Sequence, residues 1–377
     1  MKIIIAPDSF KGCLRSIEVA QAIKRGLSEM LPQAEILTFP MADGGEGTVD
    51  ALIAATGGSY IHLPVYGPLG YPVEARYGDI GRHTAVMEMA AAAGIELLDR
   101  SELNPLKTST YGVGQMIGDA IKRGFREIVI GIGGSATVDG GAGMIQSLGF
   151  ILRDAAGNII DRPCTGGMLA DIAAIEPGSA PALLQKIRIR VACDVTNPLI
   201  GPQGAAPVYG PQKGADPQMV EVLAGGLENF SARVMDAGLA DDNIHPGDGA
   251  AGGLGFALRT LCGAEIVSGA RLVIETGGLE SQLADADLVI TGEGCTDSQT
   301  ASGKLCAVIA ETAAVHRVPT IVLSGAIKGP VAQLQRYFSA ALSIAAGPCS
   351  LDEAIAAAPE RLYEAGRNLG GILRLKK

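Results

Sequence analysis

Apolar residues come in short runs, each closed by glycine, proline or a charged turn, and stretches with helical spacing lie between many of them. Residues 2–6 are the first such run. The run is too short for a helix and is bounded by Pro7, so it predicts a buried strand. The loop PDSFKG follows, and an amphipathic pattern from Ser16 to Leu31 predicts a helix. Residues 35–39 (EILTF) predict a second strand, followed by the loop ADGGEGT (42–48) and a helix over 48–56. Residues 59–90 change character: YIHLPV, VEARY and TAVMEM alternate with turns at Gly67-Pro68 and Gly70. This pattern predicts antiparallel strands and a change of domain near residue 60.

Further along, the pattern predicts a helix over 111–123, a strand at EIVIGI, and a glycine-rich run, GGSATVDGGAGM, that opens another helix. IRIRVA (187–192) predicts a strand ending at CDVTNP (193–198). A Gly/Pro-rich connection then leads to a helix over 217–237, and HPGDGAAGGLG (245–255) opens the next. From residue 271 the runs RLVIE, DLVIT, PTIVLS and AALSIA predict strands with helices between and after them. The expected fold class is α/β, with two α/β domains. Residues 1–60 and 281–377 would share a Rossmann-like, mostly parallel sheet, and residues 61–280 would form an inserted domain with a mixed sheet.

Composition narrows the function. The chain has 377 residues, 47% of them hydrophobic, which supports a large core and excludes a disordered chain. With no Trp and 4% aromatics, stacking platforms for single-stranded nucleic acid are poorly supplied. A net charge of −10 argues against a general polyanion surface but not against one anion in a local pocket. The seven Cys form no C-x-x-C pair, which suggests reduced thiols. The four His (His62, His83, His245, His316) show no zinc spacing. No run has the length of a membrane span and the chain opens directly on a strand, so a cytoplasmic protein without a signal peptide is expected.

The richest stretch chemically is 289–304, VITGEGCTDSQTASGK. A strand from Leu288 to Ile290 is expected to stop at Gly292. Glu293, Gly294, Asp297, Gln299, Thr300, Gly303 and Lys304 would then line a loop at the carboxyl end of a parallel strand, where ligands bind. Two carboxylates and an ammonium suit a phosphate with Mg²⁺; a polar connection without a ligand is the plainer reading.

The run from Gly131 to Ala136 matches G-x-G-x-x-A and leaves three readings open. It could be a dinucleotide site with Asp154 as the acidic partner. It could be a phosphate cradle using Gly133, Gly134, Ser135 and Thr137, with Asp139 adding a carboxylate. Close backbone packing is the third reading. No Walker A loop, protein-kinase H-R-D set or G-x-S-x-G elbow is present. Cys193 reads as a structural thiol rather than a nucleophile. Eight acidic residues (Asp8, Asp43, Glu46, Asp139, Asp194, Asp248, Glu293 and Asp297) follow apolar runs or sit in Gly-rich turns. A single one would be a cap or turn residue, whereas the set could supply a divalent cation. Lys11, Lys213 and Lys304 each stand beside a glycine, which suits anion binding as well as a solvated charge.

Together, APDSFKG (6–12), ADGGEGT (42–48), GIGGSATVDGGAGM (131–144), ACDVTNPLIGPQGAA (192–206), GPQKGA (210–215), GAAGGLG (249–255) and TGEGCTDSQTASGK (291–304) resemble the glycerate kinase family, in order along nearly the whole chain. After SGK the chain departs from it, with LCAV where a Pro and a Gly often stand. The resemblance implies ATP- and Mg²⁺-dependent phosphorylation of D-glycerate to 2-phosphoglycerate and two unlike α/β domains with a cleft between them; the composition adds that no nucleic-acid or membrane partner is expected. Oligomeric state stays open, a homodimer included. The roles expected on this basis are a phosphate cradle at Gly133, Gly134, Ser135 and Thr137 with Gly292 and Gly294, and metal ligation by Glu293 and Asp297. Asp8, Ser9, Lys11, Asp43 and Lys213 would face substrate or γ-phosphate. Lys304 would neutralise the transferring group, and Asp194 would accept the hydroxyl proton. The alternatives are a nicotinamide-dependent oxidoreductase of a small hydroxy acid and a non-catalytic sugar-acid sensor.

Overall fold

A computed structural model describes residues 1–242, 244–297 and 304–375. The strands, in chain order, are β1 (Lys2–Ile5), β2 (Glu35–Thr38), β3 (Ser59–Tyr66), β4 (Pro72–Asp79), β5 (Thr84–Glu88), β6 (Glu127–Gly131), β7 (Ile151–Arg153), β8 (Ala174–Glu176), β9 (Arg188–Ala192), β10 (Glu265–Val267), β11 (Leu288–Thr296), β12 (Thr320–Ile327) and β13 (Ala340–Ser343). The chain divides into two compact units: Met1–Asp43, Asp50–Gly58 and Ala270–Lys377 make the first, and Gly44–Val49 with Ser59–Gly269 the second. The loop segment Gly44–Val49, expected above with the first sixty residues, thus packs with the second unit.

The first unit holds a five-stranded sheet in the order β13-β12-β11-β1-β2, parallel throughout. Every residue of β1 is buried, as a strand covered on both faces requires. Ile3 and Ile5 join Ile290 and Leu323 on one face, against Val19, Ile23 and Leu27 of the helix Ser16–Met30 and Leu362 and Leu369 of the helix Leu351–Arg374. The fully buried Ile4 lies outside this cluster, consistent with side chains alternating between faces.

The second unit holds a six-stranded mixed sheet, β10-β9-β6-β5-β4-β3. β5, β6, β9 and β10 run parallel, while the hairpin β3–β4 meets β5 antiparallel. β7 and β8 pair separately as a small antiparallel ribbon.

Two expectations are corrected here. RLVIE is not a strand but part of a helix, Gly269–Thr276. Its exposed Arg271 and Glu275 stand four apart while Leu272, Val273 and Ile274 are buried, so the short apolar run has helical periodicity. β11 does not stop at Gly292 but runs to Thr296, because β12 pairs with it as far as Thr296 and Ile327. Gly292, Glu293 and Gly294 are therefore strand residues. Among the described residues, no helix is long and apolar enough to cross a membrane.

Candidate active site

In the first unit, three carboxylates lie at the carboxyl ends of adjacent parallel strands. After β1, the chain continues the ladder past its last strand residue: Ala6 N–H donates to Ile290 O and Asp8 N–H to Gly292 O, each at 2.8 Å. This holds Asp8 beside the segment that carries Glu293. Asp43 follows β2, and Lys11 Nζ donates to its Oδ2 at 3.4 Å. The Ser9 amide donates to Asp8 Oδ1 at 2.6 Å. Burial pushes the Asp8 carboxyl up to about 7; the charges of Asp43 and Glu293 push the same way, against the Ser9 bond and Lys11. Lys11 is driven up in turn, first by Asp43.

Glu293 is held from within the sheet. Its Oε1 accepts from Thr296 Oγ1 at 2.8 Å, and Thr296 Oγ1 lies 2.5 Å from Ser324 Oγ. A hydroxyl has one proton, and Thr296 commits it to the carboxylate, so Ser324 is the donor to Thr296. Both hydroxyl residues are fully buried and Glu293 is nearly so. Asp297 follows at the end of β11, half-buried, and Lys304 is exposed at the start of the helix Leu305–Val315. The departure from the family pattern thus falls in an intact helix, with Cys306 and Val308 buried. Gln299, Thr300 and Gly303 lie outside the described residues.

The second unit assembles a different group at the carboxyl ends of β5, β6 and β9. Here the glycines pack backbone on backbone. A Cβ on Gly131 would lie 2.2 Å from Gly44 O, and one on Gly133 would lie 2.9 Å from Gly45 Cα. The packing reading therefore holds at these two positions. The Val49 amide donates to Glu88 Oε1 at 2.8 Å, tying the same loop to the end of β5. The dinucleotide reading does not fit: the next helix, Ala142–Ser147, begins well after Gly134 and is a single short element. Asp154 closes a turn, its Oδ1 accepting from the amides of Ala156 and Asn158.

Lys213 is 1% exposed, and its ammonium donates to Ser135 Oγ at 2.6 Å and to Thr137 O at 2.7 Å. Thr137 is fully buried, and its Oγ1 has no hydrogen-bond partner among the described residues. Asp139 is a structural carboxylate rather than a ligand arm: fully buried, it accepts from Thr110 N and Oγ1 and from the amides of Gly141 and Gly143. Asp248 is likewise buried and paired with Arg259. Asp194 is exposed and accepts from the Gly269 amide at 3.0 Å. Cys193 is no nucleophile, since burial pushes its thiol up.

The structure thus gathers Asp8, Ser9, Lys11, Asp43 and Glu293 in one unit, and Gly133, Gly134, Ser135, Thr137, Lys213 and Asp194 in the other. Sequence reasoning missed Glu88, Thr296 and Ser324. Glu88 ends the apolar run TAVME, the same signal that pointed to the other acidic residues, whereas the two hydroxyls sit inside strands and carry no local signature.

The sequence model of the glycerate kinase family matches residues 3–374. A Glycerate kinase of Bacillus subtilis (strain 168) is 45% identical over 379 residues, covering 100% of this chain and 99% of its own. A Glycerate 2-kinase of Escherichia coli (strain K12) is 44% identical, covering 100% and 98%. The crystal structure of a glycerate kinase 2 from Salmonella typhimurium LT2 superposes with a TM-score of 0.89 at 44% identity, covering 100% of this chain and 99% of that one. These likenesses place the protein among the α/β phosphotransferases. It belongs to the glycerate kinase family, and its activity is that of a glycerate kinase.

Proposed function

We propose that the protein transfers the γ-phosphoryl group of ATP to D-glycerate, giving 2-phosphoglycerate and ADP with the help of Mg²⁺. The 2-position rests on similarity to the Escherichia coli relative named Glycerate 2-kinase. The carboxylate cluster of the first unit carries the reading: Asp8, Asp43 and Glu293 stand on neighbouring parallel strands or directly after them, where a divalent cation with its phosphates would be held. Among the described residues no group of three His, Cys, Asp or Glu is arranged to hold a metal by itself. That suits Mg²⁺, which keeps waters and takes one or two carboxylates plus substrate phosphates rather than an all-protein cage. Glu293 and Asp297 would hold it, and when bound it neutralises phosphate oxygens.

The chain's own groups supply positioning and charge, which is most of what phosphoryl transfer needs. Lys11 and Lys304 offer ammonium groups to phosphate, and Asp8, Ser9 and Asp43 face the substrate. Gly133, Gly134 and Ser135 present amides and a hydroxyl to the nucleotide, with Gly292 and Gly294 in the same role in the first unit. Asp194 accepts the proton of the attacking hydroxyl. Incubation with D-glycerate and ATP, with the product read by ³¹P NMR, should give a phosphate on carbon 2. A phosphate on carbon 3 would overturn the assignment of position. Absence of product, with reduction of NAD by D-glycerate instead, would overturn the whole reading.

A further inference from the structure

We propose that Lys213 is a positioning residue for Ser135: its sealed ammonium donates to Ser135 Oγ and so turns the Ser135 hydroxyl proton outward, toward an anionic oxygen of the bound nucleotide. The inference rests on the nucleotide reading above.

The geometry carries it. An ammonium has three donors and no acceptor. The 2.6 Å contact to Ser135 Oγ and the 2.7 Å contact to Thr137 O are therefore both donations by Lys213. Ser135 Oγ is the acceptor in its contact, and its own proton has no acceptor among the described residues. Ser135 keeps 9% exposure, whereas Lys213 keeps 1%, so the serine is the member of the pair that reaches outward. Gly134, at φ +71°, turns the backbone immediately before it. The ammonium itself is too enclosed to meet a ligand, which corrects the expectation that Lys213 binds substrate directly.

Removing the proton from Lys213 reverses the arrangement. A neutral amine has a lone pair and can accept from Ser135, which turns the hydroxyl inward. Burial lowers the Lys213 ammonium to about 7, and Asp139, the charged group facing it, opposes the fall. The outward-turned state therefore exists below about pH 7 and fades above it.

The test is ATP–Mg²⁺ affinity by calorimetry from pH 6 to 9 for wild type, Ser135→Ala, Lys213→Met and the double variant. The ratio of wild-type to Ser135→Ala affinity cancels the titration of ATP itself. It should be about tenfold at low pH and decline through neutrality, the size expected for a hydrogen bond to a charged acceptor. Lys213→Met should cost little further once Ser135 is Ala. Parallel pH curves, or additive losses in the double variant, would overturn the inference. Should Lys213→Met fail to fold, the wild-type and Ser135→Ala curves still decide, together with the ¹³Cε shift of Lys213: a midpoint near an ordinary lysine would overturn it. Failure of wild type to phosphorylate D-glycerate bears on the functional reading alone.

Discussion

The backbone amide of Asp8 donates to the carbonyl of Gly292 at 2.8 Å. This bond extends the β1–β11 ladder beyond the last residue of β1 and brings the Asp8 carboxylate under the influence of Glu293. The two residues are far apart in the chain, yet parallel pairing makes them neighbours at the sheet's carboxyl edge.

Asp8→Asn should stabilise the protein while disabling it. The Asp8 carboxyl is raised to about 7 in the folded state. Its contribution is most favourable below the ordinary carboxylate range and is lost as pH rises through about 7. Asn keeps an acceptor for the Ser9 amide and never ionises. The variant should melt a few degrees higher than wild type at pH 8, with the gain shrinking toward pH 5, while kcat falls about 100-fold. Equal melting temperatures at both pH values would remove the crowding argument.

Turnover should depend strictly on a divalent cation, because a transferring phosphoryl group needs its charge neutralised and Glu293 and Asp297 would supply the one or two carboxylates that Mg²⁺ takes beside phosphate. Excess EDTA should abolish activity and added Mg²⁺ restore it. Full activity in EDTA would sink the metal role of Glu293 and Asp297.

Lys304→Met should lower kcat far more than it raises KM for glycerate, since a charge that acts mainly on the transferring phosphoryl group is felt in the transition state. Lys304 is exposed, so folding should be unaffected. An unchanged kcat would return it to an ordinary solvated lysine.

Asp194→Asn preserves an acceptor for the Gly269 amide and removes the charge. A folded protein with near-normal ATP affinity and kcat down by about two to three orders of magnitude is expected for a general base. Lost ATP–Mg²⁺ affinity at unchanged turnover would make Asp194 a metal ligand instead.

The sequence alone determined the strand–loop–helix rhythm, because an apolar run that ends in glycine or proline reports local periodicity and a local stop. It also placed Asp8, Asp43 and Asp194 just after strands, and its motifs pointed to the family. Tertiary structure decided where β11 ends, because that depends on hydrogen bonds offered by β12 and not on the glycines within the run. It also decided that RLVIE is helical, since a short apolar run fits either period until its neighbours choose the buried face. The largest change concerns Lys213. Sequence presented it as a lysine in a glycine loop. Burial against Ser135, 78 residues away, made it an internal donor, because only packing determines which charges lose their water.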